Sequence, residues 1–140
     1  MAMRSLIGGM LALFAAAVSA AEPFVLRLDG HQLEAEYAST PAQRERGLMG
    51  RTELAADSGM LFRFDENRRH CLWMKNTPLP LSAAFLDEQG RIVDLIDLEP
   101  LSERIRCSRK PARYALETNR GWFEERGIGE GARVSGIPER

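Results

Sequence analysis

The chain has few of the side chains on which metal binding and nucleophilic catalysis depend. It contains two histidines and two cysteines in 140 residues, and the cysteines are far from a Cys-x-x-Cys spacing. It has no glycine-rich phosphate loop, no Gly-x-Ser-x-Gly turn and no His-Glu-x-x-His motif, which argues against a P-loop site, a hydrolase elbow and a zinc peptidase. His70 is adjacent to Cys71, and neighbouring residues of a strand point apart. We therefore predict no metal site, no cofactor and no Ser–His–Asp triad.

Lysine is also scarce, because only Lys75 and Lys110 are lysines among 19 basic residues. The 20 acidic residues give a formal net charge of −1. A protein that binds nucleic acid usually carries a clear positive excess. We therefore expect no nucleic-acid partner.

The first twenty residues have the composition of a secretory signal. Arg4 precedes an apolar run from Leu6 to Val18, and the small residues Ser19 and Ala20 follow. The run is short for a helix that spans a bilayer. We predict a signal peptide over residues 1–20 and a single domain over residues 21–140 of a periplasmic or secreted bacterial protein. The alternative is an uncleaved N-terminal anchor, which would be the only membrane contact.

Both cysteines lie in the part that would be exported. Paired cysteines in an oxidising compartment usually form a disulfide, so we predict a Cys71–Cys107 bond. The chain-entropy model gives such a loop about 4 kcal/mol of stabilisation as an upper figure.

The pattern of apolar residues predicts a β-rich domain. Asp29-Gly30 between alternating runs indicates a hairpin of Phe24–Leu28 and Gln32–Ala38. Thr40 and Gln43 form a capping-box pattern that predicts a helix over Pro41–Met49, ended by Gly50. The remaining predictions are strands over Met60–Phe64, Cys71–Met74, Leu81–Asp87, Arg91–Leu98, Ala112–Thr118 and Ala132–Ile137, a charged turn over 65–70, a loop over 99–111, and a helix from the cap Asn119 to Arg126 with Gly127 at its C′ position.

These elements predict an α+β fold that is β-rich. Most strands follow one another through tight turns, so the sheet should be small, mainly antiparallel, and curled or barrel-like. The two short helices should cover its open ends.

Four segments together resemble the bacterial and archaeal domain-of-unknown-function family 192. They are TPAQRERGLMGR, GMLFRF, CLWMKNTPLPLSAAFLDEQGRIV and PARYALETNRGWFEERGI, within about 25–134. The resemblance implies a small β-rich α+β domain and no established catalytic activity. It places the family motif on Arg46, Gly47, Leu48, Met49, Trp73, Met74, Lys75, Asn76, Thr77, Glu117, Gly121 and Trp122. Ser82 departs from the family pattern, which often has an aspartate there, so a carboxylate role at this position does not carry over.

The motif residues suggest a binding cleft. The candidate lining is Arg46, Met49, Trp73, Lys75, Asn76, Thr77, Glu117 and Trp122. We interpret Lys75 and Glu117 as an ion pair that holds the loop to the sheet, with Lys75 as a base, nucleophile or anion anchor as the alternative. The catalytic residues are unknown. Core packing is the default interpretation of both tryptophans, with a stacking wall for a flat ligand as the alternative. It is also the favoured interpretation of Met49, Met60 and Met74, with soft-metal binding as the alternative. For Asn76 and Thr77 we favour a turn-forming role, with hydrogen bonds to a ligand as the alternative.

Basic residues flank both cysteines. A Cys71–Cys107 bond would bring them to one side of the domain as a basic rim, formed by Arg68, Arg69, Arg104, Arg106, Arg109, Lys110 and Arg113. Such a rim suits an acidic envelope polymer or an anionic lipid surface. A solvated face of mixed charge is the alternative, since acidic residues lie nearby.

Three functional hypotheses follow from the sequence. The first is a non-enzymatic exported module that binds a small ligand or a partner near the WMKNT segment. The second is a small envelope enzyme that uses Lys75 or Arg46 together with Glu117. The third is a purely structural accessory protein of the cell envelope.

Overall fold

The structure, a computed structural model, describes residues 22–139 and Gly9. The predicted signal peptide therefore lies outside the described residues. Within the described part, no helix has the length and hydropathy that crossing a bilayer would require.

Strands dominate the described chain. They are β1 (Phe24–Leu28), β2 (His31–Ala38), β3 (Ser58–Arg68), β4 (Cys71–Leu72), β5 (Leu81–Leu86), β6 (Ile92–Leu98), β7 (Arg106–Cys107), β8 (Ala112–Asn119) and β9 (Val134–Ser135). The two helices are α1 (Pro41–Arg46) and α2 (Trp122–Glu125).

Seven strands form one curled sheet in the order β6-β5-β8-β3-β2-β1-β9, and β4 and β7 form a separate two-stranded ribbon. Every pair in the sheet is antiparallel except β2 with β3. The predicted β-rich α+β fold with a mainly antiparallel, curled sheet is therefore confirmed. The parallel pair was not predicted.

Each face of the sheet carries its own hydrophobic cluster. The front cluster includes Phe62, Phe64, Leu72, Met74, Phe85 and Ala115. The back cluster includes Leu26, Leu61, Leu116, Trp122, Phe123 and Ile128. Successive residues of β3 and β8 alternate between the two clusters, as the two-residue period of a strand requires. Odd and even positions along one strand therefore point to opposite faces of the sheet.

The capping box of α1 forms as predicted, but the helix ends earlier. Thr40 Oγ1 accepts a hydrogen bond from the Gln43 amide, and Gln43 Oε1 accepts one from the Thr40 amide, both at 3.2 Å. Gly47 has φ 45° and ψ −130°, which is not helical. The helix therefore ends at Arg46 rather than at Met49, and the residues after Gly47 form turns.

The predicted charged turn over 65–70 is wrong, because β3 continues to Arg68. The pairing with β8 shifts between Arg63 and Arg68, and such an irregularity lets a strand run on through polar residues. Two of the predicted strands are shorter than expected, since β4 ends at Leu72 and β9 covers only Val134–Ser135. The loop predicted over 99–111 contains β7.

The predicted cap of the last helix is also wrong. Asn119 is the final residue of β8. Its side-chain Nδ2 donates hydrogen bonds to the backbone carbonyls of Leu54 and Ala55 at 2.8 and 3.1 Å. The residue before α2 is Gly121, with φ 84°. Positive φ favours glycine, so the sequence did contain this signal. Gly127 has φ 66°, in line with its predicted left-handed conformation.

Candidate functional site

A cleft of about 240 Å³ opens on the front face of the sheet. One wall comes from α1 and the turn after it, and another from β4 and the segment that follows. Strands β3 and β8 contribute the rest. The lining is Arg44, Glu45, Arg46, Gly47, Leu48, Met49, Phe62, Phe64, Cys71, Leu72, Trp73, Met74, Thr77 and Glu117.

Glu117 is the acidic group that the sheet places in this cleft. It lies on β8 between Ala115 of the front cluster and the start of α2, and its neighbours in the sheet are Met60 of β3 and Ala83 of β5. The side chain is only 4 % exposed. Within the described residues, its carboxyl has no hydrogen-bond or salt-bridge partner. A carboxyl this deeply buried without a protein partner is unusual. Its oxygens still reach the cleft, since the fully enclosed polar atoms without a partner in the described residues are Tyr37 Oη, Arg63 Nε and Arg120 Nε.

Burial raises the pKa of Glu117 to about 8. The cause is desolvation, because apolar surroundings disfavour the charged carboxylate. Near neutral pH the carboxyl is therefore mostly protonated. It can donate a hydrogen bond, transfer a proton, or ionise when a cation enters the cleft.

Aromatic rings form much of the apolar lining. Phe62 and Phe64 are 4 % and 8 % exposed, while Trp73 is 41 % exposed. Phe64 stacks on His70 at 3.8 Å between ring centroids, and burial lowers the pKa of this histidine. Rings of this kind attract cations through their faces.

The described residues contain no group of three or more His, Cys, Asp or Glu side chains that could hold a metal ion. Met74 is 2 % exposed and packs in the front cluster. Met60 is 6 % exposed in the same cluster, so both residues show the core packing that we favoured, whereas Met49 is partly buried and lines the cleft.

The charges around the cleft mouth differ in how far they are neutralised. Arg44 pairs with Asp65 at 3.0 Å and donates to the carbonyls of Ser39 and Arg63 at 2.8 and 2.9 Å. Arg46 is exposed and forms no ion pair within residues 22–139. Arg46 is therefore the lining cation that remains open to a ligand.

Backbone hydrogen bonds hold the WMKNT loop against its neighbours. The Asn76 carbonyl accepts from the Gly50 amide at 2.7 Å, which ties the loop to the turn after α1. Asn76 itself has φ 54°, a conformation that asparagine tolerates better than most residues. The Thr77 carbonyl accepts from the Leu101 amide at 2.9 Å. These contacts support the turn-forming interpretation of Asn76, whose side chain does not line the cleft.

The predicted Lys75–Glu117 ion pair is wrong. Lys75 is exposed and lies outside the cleft lining, with its Nζ 5.2 Å from the centroid of the Trp73 ring. Glu117 is buried between its neighbours on β3 and β5. The loop and β8 are close, as predicted, but their two side chains point to different places.

Trp122 also does not reach the cleft. It is 2 % exposed in the back cluster, its Nε1 donates to Asp57 Oδ1 at 3.0 Å, and the guanidinium of Arg126 lies 4.4 Å from its ring centroid. The predicted placement was wrong because the chain crosses to the other face of the sheet after β8. The structure shows core packing, the default interpretation of this residue.

Five of the eight predicted lining residues line the cleft together. They are Arg46, Met49, Trp73, Thr77 and Glu117. Phe62, Phe64 and Arg44 also line the cleft but were not predicted. The two-residue period of β3 places both phenylalanines on the face of Met60, so the sequence did carry a signal for them. It carries no comparable signal for Arg44.

The predicted disulfide is present between Cys71 and Cys107. These residues are direct partners in the β4–β7 ribbon. Because Cys71 lines the cleft, the disulfide fixes one of its edges.

The residues of the basic rim are largely occupied. Three of its arginines form ion pairs: Arg68 with Glu66 at 3.6 Å, Arg109 with Asp94 at 3.0 Å, and Arg113 with Glu88 at 3.8 Å. Carbonyl groups accept from two others, Arg69 and Arg106. The side chains of Arg104 and Lys110 form no ion pair within the described part of the chain. The rim is thus closer to the mixed-charge alternative, and its acidic partner stays a prediction.

Comparisons with known proteins found similar solved structures and one matching family model. Two crystal structures are similar to the chain: a proposed transcription regulator from Sinorhizobium meliloti 1021, 41 % identical with a TM-score of 0.78, and a protein of unknown function from Novosphingobium aromaticivorans DSM 12444, 30 % identical with a TM-score of 0.75. Each match covers 81 % of this chain, with 92 % and 83 % of the other chains respectively.

Among curated proteins, none matches the chain significantly. The model of domain-of-unknown-function family 192, described as an uncharacterised ACR family, matches residues 24–136. The chain belongs to this family.

Proposed function

We propose that the domain is an exported binding module whose cleft takes a small organic cation, such as a primary amine. The observation that carries this proposal is the buried, unpartnered carboxyl of Glu117 in the lining of the cleft. A buried acidic group without a partner is costly to a folded protein. An incoming ammonium would supply the missing partner.

The apolar part of the cleft suits the same ligand. An ammonium group inside the cleft would lie among the rings of Phe62, Phe64 and Trp73, and aromatic faces stabilise cations. Binding would draw the proton from Glu117, because an opposite charge favours the ionised carboxylate. Arg46 at the mouth leaves room for a ligand that also carries an anionic group.

The disulfide supports export. Disulfides persist in oxidising compartments such as the periplasm and are rare in the cytosol. This favours the periplasmic or secreted location that the N-terminal residues predict.

Calorimetry with a panel of amines tests the proposal. Residues 22–140, which hold every described strand and helix, would be titrated with butylamine, benzylamine and agmatine, with benzyl alcohol and benzoate as matched neutral and anionic probes. We expect binding of amines with proton release, and tighter binding as the pH rises toward the pKa of Glu117. Buffers with different ionisation enthalpies measure the released proton.

Glu117→Gln is the decisive variant because it keeps the shape and removes the acid. We expect it to lose amine binding, whereas the control Glu45→Gln, an exposed acid of the same lining, keeps it. Amine binding that survives in Glu117→Gln would overturn the proposal, as would preferential binding of benzoate.

A second candidate function is acid–base catalysis by Glu117. The supporting observation is its pKa of about 8, since a group that titrates near the working pH can both give and take a proton. Arg46, which lines the same cleft, would orient an anionic substrate. The variant of this hypothesis that used Lys75 is not carried forward, because Lys75 lies outside the cleft. Turnover of peptide or glycan libraries, detected by mass spectrometry and lost in Glu117→Gln, would favour catalysis over binding.

The description of the Sinorhizobium meliloti relative does not lead us to propose DNA binding. The two helices described here span six and four residues. A recognition helix enters the major groove with several side chains along its length. The net charge of −1 also gives no general attraction to phosphates.

A further inference from the structure

Three exposed apolar side chains gather beside the cleft. Among the described residues, the exposed large hydrophobic side chains are Val25, Trp73, Leu101 and Ile105. Their exposed fractions are 42 %, 41 %, 60 % and 63 % respectively. Val25 lies on β1, at the other end of the sheet order. The remaining three form what we call the ribbon patch.

The β4–β7 ribbon brings two of these residues together. Cys71 pairs with Cys107 and Leu72 with Arg106, so Trp73 and Ile105 are the next residues at the same end of the ribbon. The ribbon also separates its faces, because Leu72 is buried in the front cluster while Trp73 is exposed. The patch is therefore the outer face of a two-stranded ribbon whose inner face packs on the domain.

Leu101 joins the patch through the WMKNT loop. Its amide donates to the Thr77 carbonyl at 2.9 Å, and the Met74 amide donates to the Ser102 carbonyl at 2.9 Å. Leu101 has φ 62°, the left-handed conformation that residues other than glycine rarely adopt. An exposed leucine held in this conformation has no packing role in the domain, and backbone strain of this kind collects at functional positions.

The charges around the patch are mostly positive. The Nζ of Lys75 lies 5.2 Å from the Trp73 ring centroid. The exposed Arg104 precedes Ile105 by one residue. Arg106 is not part of this border, because it donates to the Asp97 carbonyl at 3.1 Å. Glu103 is the one acidic residue between positions 101 and 111. An apolar centre with a basic border is the pattern of a surface that lies on an anionic membrane.

We propose that the ribbon patch docks the domain on a membrane that contains anionic lipid, with Trp73, Leu101 and Ile105 at the level of the headgroups. Tryptophan favours this interface because its large ring is apolar while its indole N–H is polar. A soluble polyanion would satisfy the basic residues but would leave the three apolar side chains in water. The apolar content of the patch therefore favours a bilayer over a polymer. Since Trp73 also lines the cleft, docking would place the cleft mouth next to the lipid surface.

Tryptophan fluorescence offers a direct test, because the chain has two tryptophans and Trp122 is already buried. Residues 22–140 would be mixed with phosphatidylcholine vesicles, with or without phosphatidylglycerol. We expect sedimentation with the anionic vesicles and a blue shift of the emission, and both should weaken at high salt. Trp73→Phe should abolish the shift, since Trp122 remains in the core.

Substitutions separate the apolar from the electrostatic part. Ile105→Ser should abolish the blue shift, while the control Val25→Ser, which removes an exposed apolar side chain of β1, leaves it unchanged. Arg104→Gln should weaken binding about fivefold, the effect of one surface cation near anionic lipid. Near-ultraviolet circular dichroism confirms that each variant is folded.

Three results would overturn this proposal. They are the absence of binding to anionic vesicles, binding that Ile105→Ser leaves unchanged, and equally tight binding to soluble polyglutamate without a blue shift. The last result would assign the basic residues to a polymer instead. None of these results depends on whether the cleft binds amines.

Discussion

The two tryptophans show how differently the two faces of the sheet are built. Trp122 on the back face is 2 % exposed, and its indole nitrogen donates to Asp57. Trp73 beside the cleft is 41 % exposed, with a lysine ammonium near its ring. The first tryptophan is packed and hydrogen-bonded as core residues usually are. The second is held at the surface by a loop.

Neighbouring residues of β8 repeat this contrast. Leu116 is fully buried in the apolar back cluster, whereas Glu117 brings an unpaired acid to the front face. Helix α2 packs on the back face, while the cleft that contains Glu117 opens on the front face. Both clusters stabilise the domain, but the front face also carries a buried carboxyl whose desolvation costs stability.

Trp122→Ala should have the largest effect. Removing a buried aromatic ring typically costs about 3–5 kcal/mol of unfolding free energy. Here it also removes the indole hydrogen bond to Asp57 and the ring next to Arg126, although these two side chains still pair with each other. Trp73→Ala should cost about 1 kcal/mol or less, as is usual for surface positions. Urea unfolding at pH 7 measures both. Equal losses for the two variants would remove the distinction between the faces.

Loss of the disulfide should weaken the front face by a smaller amount. The double variant Cys71→Ser/Cys107→Ser removes the bond between two cysteines that are 36 residues apart in the sequence. The loss of such a bond typically lowers the free energy of unfolding by about 2–4 kcal/mol. Because Cys71 lines the cleft, hydrogen exchange should increase most in the β4–β7 ribbon and the WMKNT loop. An increase centred on α2 instead would contradict this placement.

Glu117→Gln should stabilise the domain at neutral pH. The folded-state pKa of about 8 lies above the ordinary value of 4.5, so folding favours the protonated form. Between about pH 4.5 and pH 8 the carboxyl is ionised in the unfolded chain but still protonated in the folded one. The free energy of unfolding therefore falls as the pH rises through this range. At pH 7 this loss is about 3 kcal/mol. The glutamine variant avoids it and should gain a similar amount.

The pH profile separates this effect from a simple change in packing. Unfolding measured between about pH 4 and pH 9 should show a gain for Glu117→Gln that vanishes at the acidic end. The exposed Glu45→Gln provides the control and should follow the original chain. A glutamine variant that is less stable at pH 7, or that keeps the same fall with pH, would show that Glu117 is not a protonated buried group.

Local chemistry made much of this structure predictable. The hairpin at Asp29-Gly30, the capping box of Thr40 and Gln43 and the disulfide depend on short patterns or on residue counts. Placing RGLM, WMKNT and Glu117 near one cleft depended on the family resemblance. These features determine which segments of the chain lie near one another, and the sequence was sufficient to predict that.

The errors concern directions that only the assembled sheet decides. Whether Glu117 meets Lys75 depends on the register of β8 between β3 and β5, and whether Trp122 faces the cleft depends on how the chain leaves β8. The parallel pairing of β2 with β3 joins segments on either side of α1 and its loop. Strand patterns in the sequence do not distinguish it from an antiparallel pair.

Lys75→Ala should have the smallest effect, and it tests the motif residue that was predicted to pair with Glu117. The exposed contact of its ammonium with the Trp73 ring contributes about 0.5–1 kcal/mol at most. Because Lys75 does not touch Glu117, the variant should keep both the stability profile with pH and the amine binding of the cleft. Only docking on anionic vesicles should weaken. If Lys75→Ala instead changed how the stability depends on pH, Lys75 and Glu117 would have to interact in the original chain. The acid of the front face would then be ion-paired, as acids elsewhere in the fold are.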